Sequence, residues 1–486
     1  MTFFDPADWD GKIYSGGWVR GSGGDQPIFE PATGASLGTI GLASPDDVSR
    51  AAAASRSAQP EWAATSYEEK AAVLRRAGSL IEQHSDVLGS WLMREAGSAK
   101  GKAAFEMHVV AGEFFAASAL AQAPYGQVLR SGKPRLSLAR RLPVGTVGVI
   151  APFNFPQILS MRSVAPALAL GNAVILKPDP RTAVCGGLVF AAILREAGLP
   201  EGLFHVLPGG AEVGSALVVE PSVRVISFTG STRAGRAVGE LAARHLKRAH
   251  LELGGNNAML VLDDVDVAAA ASAGAWGSFL HQGQICMTTG RHLVHANVYD
   301  EYVERLSAAA NRLPVGDGWA TDAALGPIID AHQRDRIHSL VTASVAAGAT
   351  LAAGGSYEGL FYRPTVLANS AADHPTFQEE VFGPVAPVLK FSTLDEAVEI
   401  VNQSEYGLSL AILTHDALRG LALADRMHSG IVHINDQTVD DEPVIPFGGV
   451  GASGTGARFG GNEANIEAFT ETQWVTMQSE IERYPF

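Results

Sequence analysis

Cys286 and Glu252 are the residues whose types and spacing point to chemistry. Cys286 is one of two cysteines in 486 residues and sits in FLHQGQICMTTGR, residues 279–291. Glu252 lies upstream, where an apolar run reads LELGGNNAML and meets a Gly-Gly turn. An ionised thiol is a strong nucleophile, and a carboxylate can take a proton from water or from a thiol. Attack at a carbonyl carbon needs such a pair. Taken alone, a cysteine also serves as a small buried hydrophobe. Cys185, inside TAVCGGLVFAAIL, reads that way.

Such a pair needs a scaffold, and 486 residues exceed one hydrophobic core, so two or three domains are expected. From residue 146 the chain reads as βα units. The strands are TVGVIAP, NAVILKP, GLFHVLPG, SVRVISFTG and AHLELGG, with helices expected over 156–170, 181–197 and 232–245. That spacing predicts a parallel, doubly wound sheet. Upstream, Ser44 caps an expected helix with Pro45 at its first position and Asp46 and Asp47 in its first turn. Helical patterning then runs to about Ala121. A second α/β region extends to about residue 440. Residues 126–145 alternate around a Gly-Lys-Pro turn and carry five basic residues, which reads as a protruding two-stranded arm or an ordinary surface hairpin. The tail NIEAFTETQWVTMQ alternates like an edge strand.

Net charge is −15, from 51 acidic and 36 basic residues, a field that disfavours nucleic acid. Two cysteines imply no disulfide framework. MTFFDPADWDGK has neither the basic nor the apolar segment of a signal peptide, and no apolar run reaches a bilayer span. A cytoplasmic protein without a membrane partner is expected.

Two Gly-rich corners suggest a phosphate-bearing cofactor. ISFTGSTRAGRAVG, residues 226–239, joins a strand to a helix through Gly230, Ser231 and Thr232. Free N–H groups at such a helix end favour phosphate. The GxGxxG fingerprint is absent. LPGGAEVG, residues 207–214, makes a second corner that includes Gly210. Lys177 ends NAVILKP, at the strand end where α/β sheets bind ligands, and can reach a ribose or a phosphate or simply cap its strand.

At this point the chain resembles the NAD(P)-dependent aldehyde dehydrogenase superfamily over nearly its full length. The matching stretches are PFNFP (152–156), ILKP (175–178), FTGST (228–232), LELGG (251–255), GQIC (283–286), EEVFGPV (379–385) and PFGG (446–449), in the family's order. KPDPRTAVCGG, LPGGAEVG, INDQTVDDEP and PFGGVGASGTG are most similar to its bacterial benzaldehyde and vanillin dehydrogenase branch. The resemblance implies a Rossmann-like cofactor domain (1–125 and 146–251), an α/β catalytic domain (252–440) and β oligomerisation strands (126–145 and 465–486). It implies Cys286 as nucleophile, Glu252 as general base and Asn154 as the oxyanion-stabilising amide. Lys177, Ser231, Gly230, Gly210, Glu380, Phe382 and Pro152 match cofactor contacts. Phe155, Gln157, Met161, Leu280, Ile285, Met287 and Trp474 match the substrate pocket. The implied cofactor is NAD, no metal is implied, and the implied assembly is a homodimer or a dimer of dimers.

These roles fit one reaction, in which a thiohemiacetal forms on Cys286, becomes a thioester, and is released by water that Glu252 activates. Two positions depart from the commonest pattern. Many NAD-preferring members carry glutamate where this chain has Pro180, between Asp179 and Arg181. Asp179 offers a partial replacement and Arg181 an attraction for NADP, which keeps NADP open. Phe153 stands where many relatives have tryptophan. The expected substrate is an aromatic aldehyde. The rival readings are an aliphatic aldehyde or semialdehyde, which the acidic DQTVDDEP segment disfavours, and a catalytically silent structural protein of the same fold.

Overall fold

The computed structural model describes residues 3–486. Two seven-stranded sheets dominate it. The first runs in the order Arg248–Glu252, Val223–Thr229, Thr146–Ile150, Ala173–Lys177, Phe204–Val206, Ile13–Ser15, Trp18–Val19. The five strands from 146 onward are parallel, and the two N-terminal ones pair antiparallel at the far edge. Thr146–Ile150 and Ala173–Lys177 are buried at every position, because helices cover both faces of a parallel sheet. The strand order reverses between Thr146–Ile150 and Val223–Thr229, so a crevice opens beyond their carboxyl ends. Asn154 follows the first of these strands and Gly230 the second.

The second sheet runs Thr350–Ala353, Thr365–Ala368, Val385–Phe391, Thr289–His295, Asn257–Val261, Ser409–Leu413, Ile431–Ile434. Only Thr350–Ala353 is antiparallel to its neighbour. This sheet carries the loops of GQIC and EEVFGPV.

The helical layer forms as its caps dictate. Ser44 and Asp47 make a reciprocal capping box at the start of Pro45–Ala64. Lys100–Leu120 is the one described helix long and apolar enough to cross a bilayer. Here it is a core helix, packed against Tyr67–Gln83 and Pro156–Ala169 with Val110, Ala111 and Phe114 buried.

Two local expectations change. The helix expected over 181–197 is a 3₁₀ turn, Pro180–Thr182, then a π turn, Val184–Leu188, then an α-helix, Val189–Glu196. The buried carboxylate of Glu95 accepts the N–H groups of Val184 and Cys185, which competes with regular α-helical pairing there. In the tail, Asn462–Phe469 is a helix that buries Ala468 and Phe469 on the first core, and the strand begins only at Thr470. That strand, Thr470–Met477, pairs antiparallel along Leu136–Pro143 of its own chain, which in turn pairs with Gly126–Val128. The arm therefore has three strands among the described residues, with the tail strand at one edge of its own arm.

Candidate active site

The nucleophile loop is held by close backbone approaches that only glycine permits. His281, Gln282 and Gly283 all adopt positive φ before Cys286. A Cβ at Gly283 would sit 2.1 Å from the Gly383 carbonyl, so GQIC and EEVFGPV touch backbone to backbone. Asn257 clamps the other side, donating from Nδ2 to the carbonyls of Cys286 and Thr288 at 2.8 Å each. LELGG supplies the clearance beneath. A Cβ at Gly254 would strike Glu380 Oε2 at 2.3 Å, and one at Gly255 would strike the Cys286 carbonyl at 2.5 Å.

Glu252 ends its strand buried, and PFGG wraps it. Oε2 accepts the Gly449 N–H at 3.2 Å, while Oε1 has no partner among the described residues. A Cβ at Gly448 would lie 2.8 Å from Oε1. Burial pushes Glu252 well above the usual carboxylate range, and the Gly449 N–H, Arg458 and Arg162 oppose it. Burial pushes the Cys286 thiol up to about 12, with Glu380, Glu252 and Asp441 adding to the rise and Arg162 opposing it. Glu380 is raised to about 7 by burial, against the Gly255 N–H that Oε1 accepts at 2.9 Å and the charge of Arg336. Asn154 is buried and donates from Nδ2 to the Gln284 carbonyl at 2.9 Å, which leaves its second amide hydrogen available.

Cys286 and Asn154 share a cavity of about 500 Å³ with Phe155, Ile158, Leu280, Ile285, Met287 and Phe447. Four of the seven pocket residues expected from the sequence, Phe155, Leu280, Ile285 and Met287, line it. Gln157, Met161 and Trp474 do not. Gln157 and Met161 are fully buried on the helix Pro156–Ala169 and lie off the cavity's lining. Trp474 stands on the arm, 63% exposed, with Nε1 on Ser137 Oγ at 2.9 Å. A larger groove of about 860 Å³ runs between Val267–Phe279 and Tyr299–Arg312, but its lining holds none of the expected catalytic residues.

Sequence reasoning missed a buried charge cluster beside the cavity. Arg162 donates from Nη2 to both Asp441 oxygens at 2.5 Å and from Nε to Glu113 at 3.2 Å, and stacks on the Phe447 ring at 4.9 Å. Its signal was a lone arginine in the apolar run QILSMRSVAPALAL. Arg162→Met should strand two buried carboxylates and cost about 3–5 kcal/mol, read as a lower urea midpoint.

The residues expected to contact a cofactor stand mostly at the carboxyl ends of the first sheet's strands. Ser231 Oγ accepts from Ala234 N at 3.3 Å and caps Thr232–Arg244, and Gly230 donates to the Glu252 carbonyl at 3.0 Å. Phe382 has φ +53° and meets Phe153 edge-on at 5.9 Å. Pro152 opens the loop that carries Asn154. Gly210 is the N-cap of Ala211–Val219. Lys177 is buried, and its ammonium makes one hydrogen bond, 3.4 Å to the Pro178 carbonyl. A nearly orphaned ammonium, two helix N-termini and a carboxylate in one crevice fit a dinucleotide. Asp179 and Arg181 pair with each other, so the two charges that flank Pro180 are engaged with one another in this structure.

The aldehyde dehydrogenase family profile matches residues 18–475. The chain is 64% identical to a vanillin dehydrogenase of Amycolatopsis sp., over the whole of both chains. It is 47% identical to a benzaldehyde dehydrogenase [NAD(+)] of Pseudomonas putida, over 98% of each. The structure superposes on a salicylaldehyde dehydrogenase of Pseudomonas putida G7, complexed with salicylaldehyde, with TM-score 0.94 and 34% identity, covering 98% of this chain and 99% of that one. It also superposes on betaine aldehyde dehydrogenase of Staphylococcus aureus in complex with NAD+, with TM-score 0.95 and 29% identity, covering 99% and 97%. With the motifs in order and the profile matched almost end to end, this chain belongs to the aldehyde dehydrogenase family.

Proposed function

We propose that the protein oxidises an aromatic aldehyde to its carboxylic acid with NAD as cofactor. The observation that carries this reading is the apolar cavity on Cys286, whose phenylalanine, isoleucine, leucine and methionine walls suit a planar ring. The aromatic aldehydes named for its relatives support it. An aldehyde panel tests it. kcat/KM for benzaldehyde and its hydroxy and methoxy derivatives should exceed that for short aliphatic aldehydes by at least about tenfold, since each ring carbon buried adds transfer free energy. Equal values would sink the aromatic assignment.

The roles follow the geometry. Cys286 Sγ adds to the carbonyl carbon, and the oxygen gains negative charge. The free Asn154 amide hydrogen and the Cys286 N–H are the donors we assign to that oxygen. The proton released by the thiol passes to solvent, and Glu252 Oε1, a buried carboxylate oxygen without a partner among the described residues, is kept for the second half of the reaction. When bound, the nicotinamide ring supplies the two-electron acceptor. Lys177, Gly210, Gly230, Ser231 and Pro152 hold the cofactor's far side, and Glu380 and Phe382 its reacting side. Glu252 draws a proton from water as the water attacks the thioester carbon; the carbon–sulfur bond breaks, the carboxylic acid leaves, and Cys286 Sγ takes a proton back.

We assign cofactor binding to residues 1–125 and 146–251, catalysis to 252–440, and assembly to 126–145 and 465–486. Both edges of the arm sheet are open among the described residues, and open edges invite pairing. A homodimer closes such a contact symmetrically. Light scattering should give at least twice the 50.9 kDa chain mass, and a monomer would overturn this. We place the enzyme in the cytoplasm, where a reducing pool keeps Cys286 a thiol.

A further inference from the structure

The adenosine end of the crevice lacks the glutamate common at position 180 in NAD-preferring relatives, and the two charged residues flanking Pro180 are already engaged. Asp179 Oδ1 accepts from the Arg181 backbone N–H at 3.0 Å and from its Nε at 2.9 Å, and Oδ2 accepts from Nη2 at 2.8 Å. Arg181 Nη1 donates to Asp330 at 2.6 Å, and its guanidinium lies 4.4 Å from the Phe153 ring centre. A carboxylate so occupied is a poor acceptor for ribose hydroxyls, and an arginine held by two acids is a poor seat for phosphate.

A different carboxylate stands on the helix that packs against Lys177. Glu212 occupies the first turn of Ala211–Val219 and is exposed. Its Oε1 accepts the Gly210 N–H at 3.1 Å, and Oε2 has no hydrogen-bond partner among the described residues. The carboxylate folds back over Gly210, where a Cβ would lie 2.5 Å from Oε2. The same helix reaches the lysine one turn on, since a Cβ at Gly214 would lie 3.7 Å from Lys177 Cδ. The charges of Asp179 and then of Glu212 act on the Lys177 ammonium, which is buried and, among the described residues, hydrogen-bonded only to its neighbour's carbonyl; of these two acids, Asp179 is already held by Arg181.

We infer that Glu212, whose helix packs against Lys177, is the carboxylate that accepts the adenosine ribose hydroxyls and disfavours a 2′-phosphate. The inference rests on the reading of this crevice as the cofactor site. A carboxylate acceptor suits a 2′-hydroxyl donor. A phosphate there carries a charge of about −1.5 to −2 and no hydroxyl to donate. Cofactor discrimination has moved from the loop after Lys177 to the next strand-to-helix corner, which explains how Pro180 is tolerated.

Equilibrium binding to the full-length protein, followed by calorimetry, tests this without turnover. The probes are 5′-ADP and 2′,5′-ADP, which lack nicotinamide, together with NAD itself. Glu212→Gln should shift the ratio of the two ADP affinities toward 2′,5′-ADP by about tenfold, as removal of one repelling charge predicts, and Glu212→Asp should restore part of the preference. Parallel weakening of both probes, or a ratio unchanged in Glu212→Gln, overturns the inference. If the parent protein binds NAD but the ratio stays fixed, only the role of Glu212 fails. If the parent binds neither NAD nor 5′-ADP, the cofactor reading itself fails.

Discussion

Cys286→Ala should abolish aldehyde oxidation, lowering turnover by at least about 10³-fold as expected when the covalent nucleophile is lost, while NAD binding stays within about threefold. The second half of the expectation comes from placement. Cys286 lines the apolar cavity, whereas Lys177, Gly210 and Ser231 stand at the carboxyl-end corners of the other sheet and outside that cavity's lining. No second thiol can substitute, because Cys185 is wholly buried beside Glu95, which pushes its proton affinity up further. Removing a small thiol from a loop clamped by Asn257 and Gly283 leaves those clamps intact, so the variant should fold. Turnover within tenfold of the parent would remove Cys286 from the mechanism, and lost NAD binding would show that the loop shapes the cofactor site.

The parts legible in the sequence were those with a local physical signature. The capping box at Ser44, the buried βα strands and the Gly-rich corners all announce themselves within a few residues. The glycines of LELGG, GQIC and PFGG were visible as motifs, but their reason was not. Gly254 clears Glu380, Gly283 clears Gly383, and Gly448 clears Glu252, contacts that join residues far apart in the chain. Long-range pairing was also the source of the misses. Trp474 was placed in the pocket by analogy, yet the register of Thr470–Met477 on Leu136–Pro143 carries it onto the arm. Gln157 and Met161 share the helix of Phe155's loop but lie off the cavity, a matter of helix rotation against Lys100–Leu120. The 3₁₀ and π turns after Lys177 depend on Glu95, almost ninety residues earlier. Asp179 and Arg181 looked like competing cofactor readers because sequence shows two charges side by side and not the ion pair between them.

Glu252→Gln should separate the two halves of the reaction. The amide keeps the shape of the carboxylate and can still accept the Gly449 N–H, so the loop around Cys286 should hold and the first reduction should proceed. It cannot take a proton from water, so the thioester should accumulate. Rapid mixing should therefore show a burst of reduced nicotinamide close to one per active site, then steady turnover slowed by about 10²–10⁴-fold, the usual contribution of a positioned base. The pH dependence gives an independent check. Burial holds Glu252 above the usual carboxylate range, so a larger fraction is protonated near neutrality than for an exposed glutamate, and the protonated form is no base. Hydrolysis in the parent should rise with pH through that raised value and then level off. The Gln variant should lack this limb, and no thiol limb can replace it, because Cys286 is acylated throughout hydrolysis. A burst lost with steady turnover unchanged, or a pH limb kept in Glu252→Gln, would assign the base to another group. Glu380, also buried and raised to about 7 on the opposite side of Gly254 and Gly255, would be the carboxylate to test next.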